Sequence, residues 1–134
     1  MKKTIISIDD DSYWPEYIGL LLKKLLRAKG IDLTMLSADS AETAAEKIKE
    51  VGVENILLAI SDGKLLGLET AIEVHNAMRT AGYQGKIILF TCDTKELGQI
   101  AATKNYSLLN MFFDQVEKSH PKKLVEAVIR ATAD

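Results

Sequence analysis

A chain of 134 residues, 47% of them hydrophobic, has the length of one ordinary domain and enough apolar side chain to bury a core, so a single domain spanning 1–134 is predicted. Its 17 basic and 19 acidic residues leave a net charge of −2, without the basic excess that binding to a phosphate backbone needs, which argues against nucleic acid as a partner. No apolar run reaches the ~18–20 residues of a membrane span, and Met1-Lys2-Lys3 leads into a strand-like segment without a signal-peptide pattern, so a cytoplasmic protein is expected.

Short apolar runs alternate along the chain with longer amphipathic stretches. Thr4 to Ile8 is the first predicted strand, followed by Asp9-Asp10-Asp11. The first helix begins close to Ser12, because Pro15 is tolerated only in a first turn, and Gly30 fits its end. Ile18, Leu21, Leu22, Leu25 and Leu26 line one face of it. After a strand at Leu33 to Leu36, Ser40 and Thr43 mark the start of a second helix, faced by Ala41, Ala44, Ala45 and Ile48 and ended by Gly52. The third strand, Ile56 to Ile60, runs into the loop Ser61-Asp62-Gly63-Lys64 and a helix lined by Ala71, Ile72, His75 and Met78. Lys86 to Phe90 is the fourth strand, ending in Thr91-Cys92-Asp93. The remaining elements are a helix at Thr94 to Lys104, a fifth strand at Leu108 to Phe113 and a helix at Pro121 to Ala131.

The runs "TIISI", "ILLAI" and "KIILF" are apolar without alternation, as expected of strands covered on both faces in a parallel sheet. Five strands alternating with five helices predict a doubly wound α/β fold, in which ligands bind outside the carboxyl ends of the strands. That rim is acidic and hydroxyl-bearing. Carboxylates crowded as Asp9 and Asp10 are repel one another unless a hard cation lies among them, so a weak Mg²⁺ or Ca²⁺ contact is one reading. Aspartates capping the following helix are the other.

Other chemistry finds little support. The single Cys92, beside an apolar run, reads as core filler, and His75 as a packed, hydrogen-bonded histidine. No cluster has zinc spacing, Gly63 and Gly67 with Lys64 do not match a phosphate loop, and no G-x-S-x-G elbow occurs. No enzyme is predicted.

Taken together, "ISIDDD", the Gly67-Leu68-Glu69 stretch and Thr91-Cys92 make the chain resemble, over essentially its whole length, the CheY-like receiver domain of bacterial two-component response regulators. The resemblance implies a flavodoxin-like (βα)₅ fold with strand order 2-1-3-4-5, an acidic Mg²⁺ pair at Asp9 and Asp10, and a switch threonine at Thr91. It also implies an aspartate at the end of the third strand that takes a phosphoryl group from a histidine kinase. Counted back from Gly67 that position is Ala59, and a methyl group cannot attack phosphorus. The family lysine after the fifth strand falls on Lys118 when counted from the last helix, or on Asp114 when "MFF" is taken as the strand.

The reading that follows is a stand-alone pseudo-receiver of a phosphorelay, acting by protein–protein contact. The resemblance places its partner surface, for a histidine kinase, another signalling protein or a second copy, on the fourth helix, fifth strand and fifth helix, with Met111, Phe112 and Phe113 as the aromatic part. Two alternatives stay open: phosphorylation at a nearby carboxylate, Asp62 or Asp10, and an engineered Asp-to-Ala change at 59. The first helix is also about one turn longer than is usual in receivers, which brings Tyr13 and Trp14 beside the acidic rim, where core packing is the ordinary fate of aromatics.

Overall fold

The structure is a computed structural model that describes residues 2–133. Strands β1 (Lys2–Ile8), β2 (Asp32–Ala38), β3 (Ile56–Ser61), β4 (Ile87–Thr91) and β5 (Asp114–Glu117) form one parallel sheet in the order β2-β1-β3-β4-β5. Helices α1 (Tyr13–Arg27), α2 (Ala41–Val51), α3 (Ala71–Thr80), α4 (Thr94–Thr103), the single turn α5 (Leu108–Met111) and α6 (Lys122–Thr132) complete it. The two faces of the sheet carry separate cores. Ile18, Leu22 and Leu26 of α1 and Leu124, Ala127 and Val128 of α6 pack on Ile5, Leu58, Ile60, Ile88, Phe90 and Val116. Helices α2, α3 and α4 cover Ile6, Ile8, Ala59, Ile87 and Leu89 on the other side.

Local signals explain most boundaries. Ser40 accepts the Thr43 N–H at 3.1 Å while Thr43 Oγ1 accepts the Ser40 N–H, a reciprocal cap that fixes the start of α2. Thr70 and Glu73 do the same for α3, so Gly67 lies in the loop before that helix. Gly52 leaves α2 at φ +95°, a conformation that a side chain would strain.

The fifth strand is where the sequence expectation fails. Leu108 to Met111 coil into a helical turn and pairing with β4 begins only at Asp114. "LLNMFF" is an apolar run too short for periodicity to separate strand from buried helix. As one turn it buries Leu108, Met111 and Phe112, leaving Leu109 and Phe113 exposed.

A second difference bears on function. β3 continues to Ser61, so Ala59 lies within the strand, paired with Ile6 of β1, and is fully buried. Side chains alternate across a strand, so Leu58, Ile60 and then Asp62 belong to the α1/α6 face while Ala59 and Ser61 belong to the opposite one. Ala59 is thus a core residue, ~10 Å from Asp62, the first residue beyond the strand, at three residues of rise. An aspartate there would bury an unpaired carboxylate among Ile6, Ile87 and Leu89. We expect Ala59→Asp to lower unfolding stability by roughly 3–5 kcal/mol in urea titration, whereas an unchanged midpoint would mean that position 59 faces open space.

Candidate functional site at the strand ends

Asp9 and Asp62 occupy equivalent places on neighbouring strands, each the first residue after its strand. The ladder carries on through them: the Asp9 N–H donates to the Ala38 carbonyl at 2.9 Å and the Asp62 N–H to that of Ile8 at 2.8 Å. Lys118 stands in the same relation to β5, its N–H donating to the Thr91 carbonyl at 2.9 Å. By alternation Asp9, Asp62 and Lys118 all point to the α1/α6 face, and their side chains meet. Lys118 Nζ donates to Asp9 Oδ2 at 2.7 Å and to Asp62 Oδ2 at 3.0 Å. Of the two positions that the resemblance leaves open for a lysine, Lys118 is the one that reaches Asp9 and Asp62. Asp114 lies at the start of β5 and pairs with Arg130 on the surface.

The other groups around this bridge are set by short-range bonds. The Asp11 N–H holds Asp9 Oδ1 at 2.9 Å, and the Gly63 N–H holds Asp62 Oδ1 at 2.7 Å. Thr91 ends β4 almost fully buried, and a β-carbon on Gly63 would collide with its side chain. Glycine at 63 thus lets the loop after Asp62 pass close against the Thr91 side chain. Glu69, at the far end of that loop, accepts the Ala41 N–H at 2.7 Å and ties it to α2.

Carboxylate oxygens of Asp9, Asp10 and Asp62 lie within 4.8 Å of one another. Asp9 is buried, Asp62 half-buried and Asp10 exposed. Three hard oxygen donors with one side open to water suit Mg²⁺, which keeps several of its waters. Sequence reasoning named Asp9 and Asp10 for this role. Asp62 completes the group.

Burial and the nearby charge of Asp62 push the Asp9 carboxyl up from 3.8 to about 6, against the opposing pull of its bonds to Lys118 and the Asp11 N–H. Burial also works against the Lys118 ammonium, but its bonds to Asp9 and Asp62 prevail and hold it above the usual lysine range. Between about pH 4 and 6 the folded chain keeps a proton on Asp9 that the unfolded chain has released, so this group's contribution to stability is lost as pH rises through that window.

Two other sequence expectations change. Cys92 is exposed, because β4 ends at Thr91 and the cysteine is the first residue outside the sheet. Met111 and Phe112 are buried, which leaves Phe113, under the Lys86 ammonium at 4.8 Å, as the exposed aromatic of that segment. His75 behaves as expected, half-buried with Nδ1 3.0 Å from Asn76 Oδ1 and its ring near Phe112. Tyr13 is exposed, whereas Trp14 packs on Phe90, with ring centroids 5.2 Å apart.

No protein-family model and no curated protein sequence matches this chain. Its fold is that of solved receiver domains. A response regulator receiver domain protein from Clostridium thermocellum is 21% identical, with 97% of this chain and 94% of that one aligned at a TM-score of 0.65. A response regulator receiver protein from Pseudomonas putida is 22% identical over 97% and 98%, at 0.62. The response regulator domain of Thermotoga maritima CheB is 18% identical over 100% and 99%, at 0.66. No helix among the described residues is long and apolar enough to cross a membrane.

A cation bound here competes with the proton on Asp9. Mg²⁺ should therefore raise the melting temperature distinctly more at about pH 7.5 than at about pH 5, as read by thermal denaturation. A shift that is equal or larger at the lower pH would contradict the assignment of the group.

Proposed function

We propose that this chain is a phosphorylatable receiver domain of a phosphorelay, in which Asp62 accepts the phosphoryl group. The observation that carries the reading is the junction of Asp62 with Lys118, Asp9 and Thr91 at the strand ends, while Ala59 is enclosed in the core. The pseudo-receiver reading rested on Ala59 as a vacated acceptor, and its buried place in β3 removes that ground. An engineered change at 59 is likewise not needed to account for the chain.

Phosphoryl transfer calls on a protein mainly for position and charge. One Asp62 oxygen is engaged by the Gly63 N–H and the other by Lys118, so the carboxylate is held with its orientation fixed. As that oxygen attacks phosphorus, the new O–P bond replaces the P–N bond of a phosphohistidine donor, or the P–O bond of acetyl phosphate, and the donor leaves with the bonding pair. Lys118 moves no proton; its ammonium sits where charge grows on the transferred group. Thr91, beside Gly63, can then offer its hydroxyl to a phosphoryl oxygen. Mg²⁺, held by Asp9, Asp10 and Asp62, would supply further neutralisation of phosphoryl charge.

The output is a protein contact, biased by the modification. We assign it to the surface of α4, β5 and α6, taken from the resemblance, with a histidine kinase or another signalling protein as partner and a second copy as a further occupant. β5, reading Asp114-Gln115-Val116-Glu117, contributes no aromatic residue to this surface.

Incubation with acetyl phosphate and Mg²⁺ should add one phosphoryl group to the intact mass. The adduct should be lost in Asp62→Asn and fall at least about tenfold in rate in Lys118→Met, a lost charge-assisted bond being worth about 1.5–3 kcal/mol. Wild-type protein that stays unmodified while binding a partner would restore the binding-only view.

A further inference from the structure

The Lys118 ammonium, which the proposed function needs beside Asp62, is enclosed by more than its two carboxylates. Its Nζ lies 5.5 Å from the centre of the Trp14 ring and 5.9 Å from that of Phe90, both within the reach of a cation–π contact. The two rings meet edge to face with an interplanar angle of 87°. Lys118 is only 7% exposed. An ammonium has three donors, and two are taken by Asp9 and Asp62; the aromatic pair walls the cation in beyond them.

The same local structure places both the anion and the wall. Asp11 donates its N–H to Asp9 Oδ1, and its own Oδ1 accepts the Tyr13 N–H at 3.0 Å. The chain turns there and enters α1, whose second residue is Trp14. Phe90 precedes Thr91 on β4 and shares the α1/α6 face with Lys118 by alternation.

We infer that Trp14, with Phe90, is a positioning residue for Lys118: the aromatic seat keeps the ammonium at the mouth between Asp9 and Asp62 instead of letting its flexible stem carry it into water. The inference rests on the proposed function for its consequence, but the seat itself belongs to the unphosphorylated protein. It also accounts for the half-buried place of Trp14 beside an acidic rim.

The test compares Trp14→Phe, which keeps a π face, with Trp14→Leu, which does not. In unphosphorylated, isotope-labelled protein, the Lys118 ammonium should give a proton–nitrogen signal protected from exchange in the wild type and in Trp14→Phe. It should broaden or vanish in Trp14→Leu while urea unfolding remains cooperative. With acetyl phosphate and Mg²⁺, phosphorylation should slow about three- to tenfold in Trp14→Leu, little in Trp14→Phe, and no further when Trp14→Leu is added to Lys118→Met. If Trp14→Leu does not fold, Trp14→Met gives the same comparison. A protected ammonium signal in the Leu or Met variant, or losses that add with Lys118→Met, would overturn the seat. A chain that takes no phosphate but loses the signal on losing the ring would keep the seat and overturn the proposed function instead.

Discussion

The site depends on one buried cation. Asp9 and Asp62 are brought side by side by the parallel pairing of β1 and β3, and two carboxylates so close would repel each other in a half-dry cleft. The Lys118 ammonium, 2.7 Å from one and 3.0 Å from the other, makes that proximity tolerable. It does not remove the cost of placing them there: burial above all, with the charge of Asp62 adding to it, still holds the Asp9 carboxyl up at about 6. A second positive charge placed among Asp9, Asp10 and Asp62 would relieve it, which is why the same geometry suits a divalent cation.

Alternation is the constraint that decides which residues join this bridge. Each strand sends every second side chain to the α1/α6 side, and the residues that do so at the strand ends are Asp9, Asp62 and Lys118, with Phe90 just inside. Thr91 and Gly63 have the other parity and meet beside them. A shift of one residue in any strand would exchange these sets, so the apolar residues below, Ile5, Leu58, Ile60, Ile88 and Val116, hold the site in register as they build the core. Packing and chemistry are fixed by the same pairing.

Much of this was legible in the chain. The unalternating runs of β1, β3 and β4, the helix caps at Ser40 and Gly52, and the acidic rim are local features that point to the fold and to Asp9 and Asp10, whereas Thr91, and Lys118 as one of two choices, came only through the resemblance to receivers. Ala59 was misplaced because its register was anchored on Gly67 across a loop, and loop length is the least constrained quantity in such a fold. The usable signal was closer at hand: the apolar run of β3 ends at Ile60, and Asp62 has the parity of Leu58 and Ile60. The ambiguity between Lys118 and Asp114 came from "LLNMFF", whose conformation is set by packing of Leu108, Met111 and Phe112 in the core and not by local pattern. The closeness of Trp14 to Lys118 joins residues from opposite ends of the sequence, and no local motif encodes it.

In the proposed function the reactive carboxylate is that of Asp62. Reducing the phosphorylated protein with borohydride converts an acyl-phosphate aspartate to homoserine, which peptide mass mapping can locate. Homoserine at position 62 is the result expected. Homoserine at position 10, with Asp62 intact, would contradict it.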